Sequence, residues 1–315
     1  REYEGHAVYA EGGTILSIAK SKINDSATTF IYFSSDVTDA ALNLSDVTLE
    51  NIIKTEKEQG GIVLDGSIIA KMDRIYIKNS RGNGIFSKSA DIIANDITID
   101  SVFSDGFGNN GSGIMLFDGS IAKFNRLSVH YGQIAGILMD GDCFGEIDNF
   151  TISQTRSDSS IFEFGVGVAV QEGSEFIMEN GIVDGNRECG VMAVNGKVEM
   201  NNVEIKNTLP RECYELNSCQ FAPGVPFGHG VSLYQNSVLT IENIYITNNN
   251  NGLNIENSKV ENLPAGYINF IKNVSAVNAW NIRSYDDLEK SLTNSNYCEN
   301  QTVFTTDVQP VREGI

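Results

Sequence analysis

The sequence predicts an all-β solenoid, a parallel β-helix of about ten coils that ends in a C-terminal capping segment. Three observations predict it. Short alternating runs of Ile, Val and Thr are joined by turns rich in Gly and Asn, and the 315 residues include 30 glycines but only 5 prolines. A Gly followed by an aliphatic residue recurs along the chain. Asparagine also recurs at one position of the repeat.

The repeating unit is a coil of three short strands joined by bends. Successive Gly-aliphatic pairs are 23, 29, 23, 31, 23, 40 and 22 residues apart. A unit of this length cannot bury its own inward side chains, so we expect the coils to stack with their strands paired in parallel. The pairs begin at Gly61, Gly84, Gly113, Gly136, Gly167, Gly190, Gly230 and Gly252.

The residue just before the third strand of each coil forms a column of its own. In the later coils it is asparagine, which predicts a ladder of side-chain amides bonded from coil to coil. In the earlier coils it alternates in charge, which predicts surface ion pairs. The column consists of Arg74, Asp96, Arg126, Asn149, Asn180, Asn202 and Asn243.

On coil length, Gly-aliphatic starts and the asparagine column, roughly residues 5–275 resemble the right-handed parallel β-helix of the pectin-lyase-like superfamily. The resemblance is nearest to the β-helix repeats of secreted bacterial surface proteins. It implies a right-handed solenoid. Because lyases, hydrolases, epimerases, phage tailspikes and non-catalytic adhesins share this scaffold, it does not imply one activity. We expect a β-helix over residues 1–275 and a cap or tail with a short helix over residues 276–315.

One motif is similar to a catalytic element of the polygalacturonases, Gly228-His229-Gly230. In that family a histidine supports acid catalysis by paired carboxylates. The carboxylate motifs that should precede it are missing here, and His229 occupies a position that varies freely between coils. An ordinary repeat position is therefore favoured, and whether the protein is an enzyme stays open.

Three carboxylates at one turn, Asp140, Asp142 and Glu146, are a weak calcium candidate, because oxygen ligands could converge there. The alternative is an ordinary Asx turn. No other cofactor is predicted.

Apolar side chains follow one another at the outward position of the first strand. A row of this size is larger than the exposed patches that soluble monomers usually carry, so something should cover it. The cover could be a second copy of the chain, which would make the row a homo-oligomer interface, or another segment of the same chain. The row consists of Val63, Phe86, Met115, Leu138, Ala169 and Met192.

Three insertions enter the repeat at the same corner, after the third strand, near residues 104–110, 155–164 and 209–227. We expect them to stack as a loop wall along one edge of the solenoid, where repeat proteins often bind their partners. Its aromatic and polar residues suit glycans, although neutral surface loops are the equal alternative. The predicted binding residues are Asp105, Phe107, Asn109, Arg156, Asp158 and Tyr214.

Two cysteines, Cys213 and Cys219, lie in the longest insertion, where a disulfide would stiffen the loop and would fit an oxidising compartment. Near the other end of the chain, residues 284–292 predict a short helix with Ser284 as its N-cap. We expect this helix to close the last coil. The start at Arg1 offers no clear cap, so we expect that more chain precedes it.

The formal net charge of −19, from 22 basic and 41 acidic residues, argues against nucleic acid and anionic lipid as partners. No apolar run is long enough to span a membrane. We therefore predict an extracellular or cell-surface scaffold that binds glycans or a partner surface protein, in the manner of an adhesin. The alternative is a lyase or glycoside hydrolase with its site at the loop wall. A spacer within a larger surface protein is a third hypothesis.

Overall fold

The protein is a parallel β-solenoid of about ten turns, as the repeat predicts. In this computed structural model, residues 5–52, 60–104, 110–160, 162–219, 227–262, 267–282 and 284–306 are described. Each strand pairs in parallel with the equivalent strands of the coils before and after it. For example, Ile152 lies in register with Val129 on one side and Val183 on the other.

Strands form almost all of the regular structure in the described part of the chain, and some of them run through two or three walls of a coil without a break. Only two short helices accompany them there. In chain order the elements are β1 (Val8–Glu11), β2 (Ile15–Ser26), β3 (Ile31–Ile52), β4 (Gly60–Arg81), β5 (Asn83–Lys88), β6 (Asp91–Phe103), β7 (Ile114–Phe117), β8 (Ile121–His130), β9 (Ala135–Asp140), β10 (Phe144–Ser153), β11 (Val166–Gln171), β12 (Glu175–Asp184), β13 (Cys189–Val194), β14 (Lys197–Lys206), α1 (Glu212–Glu215), β15 (His229–Tyr234), β16 (Val238–Glu242), β17 (Ile244–Thr247), β18 (Asn251–Glu256), β19 (Lys259–Asn262), β20 (Ile268–Ile271), β21 (Ser275–Trp280), α2 (Tyr285–Ser291), β22 (Asn296–Cys298) and β23 (Thr302–Thr305).

The repeated glycine is required by the close approach of neighbouring coils. A Cβ atom at Gly84 would lie 2.5 Å from the carbonyl oxygen of Gly113 and 2.8 Å from a methyl group of Ile99. The next aliphatic residue, such as Ile85, is fully buried in the main core. The Gly-aliphatic pair is thus a turn into the first strand, followed by the first core residue of that strand.

The backbone conformation restricts which residues occupy the column before the third strand. Its members from Asp46 to Asn243 have φ between 52° and 57°, a left-handed conformation that asparagine and aspartate tolerate better than most residues. The amide ladder is confirmed where Asn202 donates to Asn180 at 2.8 Å. Asn180 in turn donates to Asp148 of the preceding coil, also at 2.8 Å.

The charged part of the column forms ion pairs, as predicted. Arg126 holds Asp96 with two nitrogens, and its Nη2 lies 2.7 Å from Oδ2. Arg74 pairs with Asp46 of the coil before it and not with Asp96 of the coil after it. Its Nε lies 2.6 Å from Oδ1 of Asp46. Both arginines are exposed, so these contacts are surface interactions.

The solenoid continues past residue 275. β22 pairs with β20 and β23 pairs with β21, so the short helix lies within the last described coil. That helix is α2, and its N-cap is the one predicted, since the Ser284 hydroxyl accepts a hydrogen bond from the Asp287 amide at 3.1 Å. Leu288 and Leu292 join the main core, which is how the helix is held. Among the described residues, no helix is long and apolar enough to cross a membrane.

Candidate functional site

The first-strand apolar row, which we expected another surface to cover, is buried within a single chain. Val63 and Ala169 are 0% exposed and Met192 is 1% exposed, whereas Met115 is half-buried. Leu138 and Met192 belong to a second apolar cluster outside the main core. Of the two covers left open by the sequence, the structure shows the intramolecular one, so the row of Val63, Phe86, Met115, Leu138 and Met192 offers no free interface.

The longest insertion is docked by a buried ion pair. Arg211 Nε and Nη2 each lie 2.9 Å from a carboxylate oxygen of Glu188, and both side chains are 1% exposed. The guanidinium also lies over the ring of Phe227, 3.8 Å from its centroid. Glu188 immediately precedes β13, so this pair fixes the insertion beside the start of a first strand. The disulfide predicted between Cys213 and Cys219 is present in the same loop.

His229, the histidine of the Gly-His-Gly motif, is completely buried beside this pair. Among the described residues neither ring nitrogen has a hydrogen-bond partner, and Phe227 packs against the ring with centroids 5.6 Å apart. Burial lowers the pKa of His229 to about 4, with Arg211 adding to the shift and Glu188 opposing it. A buried neutral imidazole of this kind serves packing, which agrees with the interpretation of His229 as a varying repeat position.

The described loop-wall residues differ in their exposure. Asp158 is fully buried and accepts a hydrogen bond from the Ser160 amide at 2.8 Å, so it organises its own loop. Arg156 is exposed and lies over the ring of Tyr131, 5.1 Å from its centroid, and Tyr214 is partly exposed. The predicted residues Asp105, Phe107 and Asn109 lie outside the described residues.

The calcium candidates are not brought together. Among the described residues, no three His, Cys, Asp or Glu side chains converge as metal ligands, and Asp140, Asp142 and Glu146 do not form such a group. Glu146 pairs with Lys123 at 2.9 Å instead. Burial raises the pKa of Asp140, and the neighbouring carboxylates add to the shift.

The open face of the molecule is the outward face of the third strands. A shallow groove of about 770 Å³ runs there across successive coils, and we call it the ladder groove. Its lining residues are Asp96, Thr98, Arg126, Leu127, Ser128, Asn149, Phe150, Thr151, Asn180, Gly181, Ile182, Asn202, Val203, Glu204 and Tyr245.

The floor of the ladder groove is one row of outward side chains in strict register. β6, β8, β10, β12, β14 and β17 each contribute one of them. Hydroxyl groups dominate one half of the row, and larger side chains the other half. The row consists of Thr98, Ser128, Thr151, Ile182, Glu204 and Tyr245.

One wall of the ladder groove is the left-handed column. Because those residues hold φ near 55°, their side chains follow one another along the edge of the floor and bond from coil to coil. At one end of the wall the Arg126 guanidinium, through its hydrogen bonds, lowers the pKa of Asp96. At the other end of the groove Tyr245 is 39% exposed, with its hydroxyl 3.4 Å from that of Tyr267. The groove therefore offers amides, hydroxyls and one aromatic face to solvent.

The sequence predicts the asparagine column but not the groove beside it. Thr, Ser and Glu at outward positions are typical of any exposed strand, so the floor residues do not stand out. The signal available in the sequence is positional: the column residue and the outward residue two places after it recur together in successive coils. Their juxtaposition across one bend produces the groove.

Comparison with known proteins agrees with this fold. The family model described as a right handed beta helix region matches residues 96–266, more than half of the chain. The A-module of a mannuronan C-5 epimerase from Azotobacter vinelandii is 6% identical, with 95% of this chain and 89% of that chain covered and a TM-score of 0.39. An alginate lyase from a Paenibacillus species is 10% identical, with 92% and 99% covered and a TM-score of 0.24.

A third solved structure with some likeness is the catalytic domain of a GH87 α-1,3-glucanase. It is 12% identical, with 90% of this chain and 64% of that chain covered and a TM-score of 0.23. No curated protein matches the chain in sequence.

Proposed function

The chain belongs to the right-handed β-helix family, and on that scaffold we propose an extracellular or cell-surface protein whose ladder groove binds an extended polysaccharide. The observation that carries the proposal is the groove itself, open to solvent and lined by polar groups across six successive coils. The disulfide between Cys213 and Cys219 supports an oxidising compartment.

The shape of the ladder groove favours a linear ligand. Paired strands lie about 4.8 Å apart, so a floor that crosses six coils is roughly 24 Å long. Because each coil adds one side chain to the floor and one to the wall, contacts are regularly spaced along the groove. A polymer of similar units can use such a surface repeatedly, whereas a small compact ligand would use only a fraction of it.

The chemistry of the groove favours sugar rings. Thr98, Ser128 and Thr151 each carry a hydroxyl that both donates and accepts hydrogen bonds, and the asparagine wall adds amides of the same dual capacity. Tyr245 offers a ring on which the apolar face of a sugar can stack. We propose Arg156 and Tyr214, which reach solvent on the loop wall, as contacts for a partner surface.

The proposal is tested by removing the aromatic end of the groove. We expect Tyr245→Ala to weaken binding of the retained polysaccharide by about tenfold, because one stacking contact is worth roughly 1–2 kcal/mol. Tyr76→Ala is the matched control: Tyr76 lies in register with Thr98 on the same outward row, outside the groove lining. Retention on a polysaccharide array followed by calorimetry would measure both variants.

The array also separates the alternatives. Release of reducing ends or of ultraviolet-absorbing products from a bound polysaccharide would favour the enzyme. An equal loss of binding in both tyrosine variants would contradict the groove as the site, and no retention on any polysaccharide would contradict the proposed function as a whole.

A further inference from the structure

We infer that the polysaccharide of the ladder groove is a neutral glycan and not a polyuronate; this rests on the proposed function. A uronate polymer carries a carboxylate on each sugar, so a groove built for it needs cations that are free to meet those carboxylates. The charges of the ladder groove do not supply them.

The basic side chains along the groove are already committed to acidic partners. Arg126 directs its Nε and Nη2 to the two carboxylate oxygens of Asp96, which is the two-pronged geometry that a ligand carboxylate would have to displace. Lys206 stands beside the floor with its ammonium nitrogen 2.8 Å from Glu204. A uronate that recruited either cation would leave a protein carboxylate unpaired beside it.

The acidic side chains exceed the basic ones along this face. Of the residues that line the groove, Asp96 and Glu204 are acidic and Arg126 is basic, which leaves one net negative charge. Asp148, beside the lining, is a further carboxylate and accepts hydrogen bonds from Asn149 at 2.7 Å and from Asn180 at 2.8 Å. The whole chain carries −19, so the surrounding field also disfavours a polyanion.

The uncharged groups of the groove match hydroxyls. Each asparagine amide has two donor hydrogens and two acceptor lone pairs, and the bond from Asn202 to Asn180 uses only one of them on each partner. Sugar hydroxyls also donate and accept, so they can use whichever capacity remains. Carboxylates only accept, and they would compete with Asp148 for the same amide donors.

Ile182 and Tyr245 complete the match with apolar contacts. Both lie on the floor, on either side of Glu204 in the row, and both reach solvent. The C–H faces of a neutral sugar ring can pack on them without the cost of desolvating a charge. The groove therefore combines hydroxyl-matching walls with two apolar positions.

The test compares matched ligands on the intact protein. We would measure binding of neutral hexasaccharides of glucose, mannose, galactose and N-acetylglucosamine, and of hexasaccharides of mannuronate and galacturonate, at about 50 and about 500 mM salt. We expect at least one neutral series to bind about tenfold more tightly than either uronate, with little dependence on salt. Glu204→Gln, which releases Lys206, should improve uronate binding several-fold. Glu199→Gln removes the same charge from the second-strand face and should not.

The outcomes separate the two proposals. Preferred binding of a uronate that is lost on Tyr245→Ala would overturn the neutral-glycan inference and leave the groove as the site. The inference would also be overturned if Glu204→Gln and Glu199→Gln raised uronate binding equally, because the local pairing of Lys206 would then not matter. Binding of none of the hexasaccharides would overturn both proposals.

Discussion

The outward faces of the first and third strands arise from the same repeat, but one is buried and the other is open to solvent. Both present side chains away from the main core. Each coil contributes one side chain to each row, in register with the neighbouring coils. Met192 on the first strand is 1% exposed, whereas Ile182 on the third strand lines an open groove. The longest insertion docks beside a first strand through Arg211 and Glu188. The same repeat thus supports a second apolar cluster on one face and an open groove on the other.

The ion pairs of the two faces differ in the same way. Arg211 and Glu188 are buried and join the longest insertion to the coil beneath it. Arg126 and Asp96 also make a bidentate contact, but both side chains are exposed to solvent. A buried pair becomes very costly to break once it has been desolvated, while an exposed pair can be replaced by water. Only the first is expected to hold the fold.

The largest expected effect comes from placing the same charge on each face. Met192→Lys puts an ammonium group into the second apolar cluster, and we expect it to lower the free energy of unfolding by about 4 kcal/mol or more. Ile182→Lys is the matched change in the ladder groove and should cost less than about 1 kcal/mol, since the ammonium reaches water. Denaturant titration measures both. Equal costs would mean that the first-strand face is not covered in solution.

Removing one arginine from each ion pair is the next test. Arg211→Met leaves the Glu188 carboxylate buried without its cation, and we expect a loss of about 3–5 kcal/mol in the free energy of unfolding. Arg126→Met should leave that free energy within experimental error, because its partner Asp96 is solvated. Thermal unfolding of the two variants beside the parent protein provides the comparison. A loss for Arg126→Met as large as that for Arg211→Met would contradict it.

The features that could be predicted from the sequence are those set by fixed spacing along the chain. The core columns, the asparagine ladder and the α2 N-cap at Ser284 depend on contacts at fixed spacing, and the structure confirms them. The docking of the longest insertion could not be predicted, because an insertion has no period and its path depends on tertiary contacts such as that of Arg211 with Glu188. The ladder groove was missed for another reason: each of its residues is ordinary, and only their registered stacking makes a site.

The buried histidine gives the covered face a pH dependence. The unfolded chain protonates His229 below about pH 6.5, whereas burial keeps the folded imidazole neutral down to its pKa of about 4. The contribution of His229 to the free energy of unfolding is therefore fully present above about pH 6.5. It decreases as the pH falls toward 4, by about 3 kcal/mol in all. The charged groups that act on the ring are Glu188 and Arg211, which are paired with each other.

The measurement is the difference between the parent protein and His229→Leu in denaturant midpoint at each pH. The carboxylates titrate in both proteins, so their effects cancel in the difference. We therefore expect the parent to lose stability relative to the variant between about pH 6.5 and 4. A constant difference over that range would show that the folded imidazole takes up its proton as readily as the unfolded one does.

The smallest expected effect concerns the wall of the open face, where backbone conformation and not burial sets the residue. Asn202 has a φ of 55° and donates to Asn180 at 2.8 Å, so Asn202→Ala removes the amide and also places an alanine in a strained conformation. We expect a loss of about 1 kcal/mol in the free energy of unfolding. Asn202→Gly removes the same amide without that strain and should cost less, a few tenths of a kcal/mol. The loss common to both variants measures the amide ladder, and the difference between them measures the left-handed conformation. If the alanine variant were as stable as the glycine variant, the backbone conformation would not restrict the residue at this position, and the asparagines would be there for their amides alone.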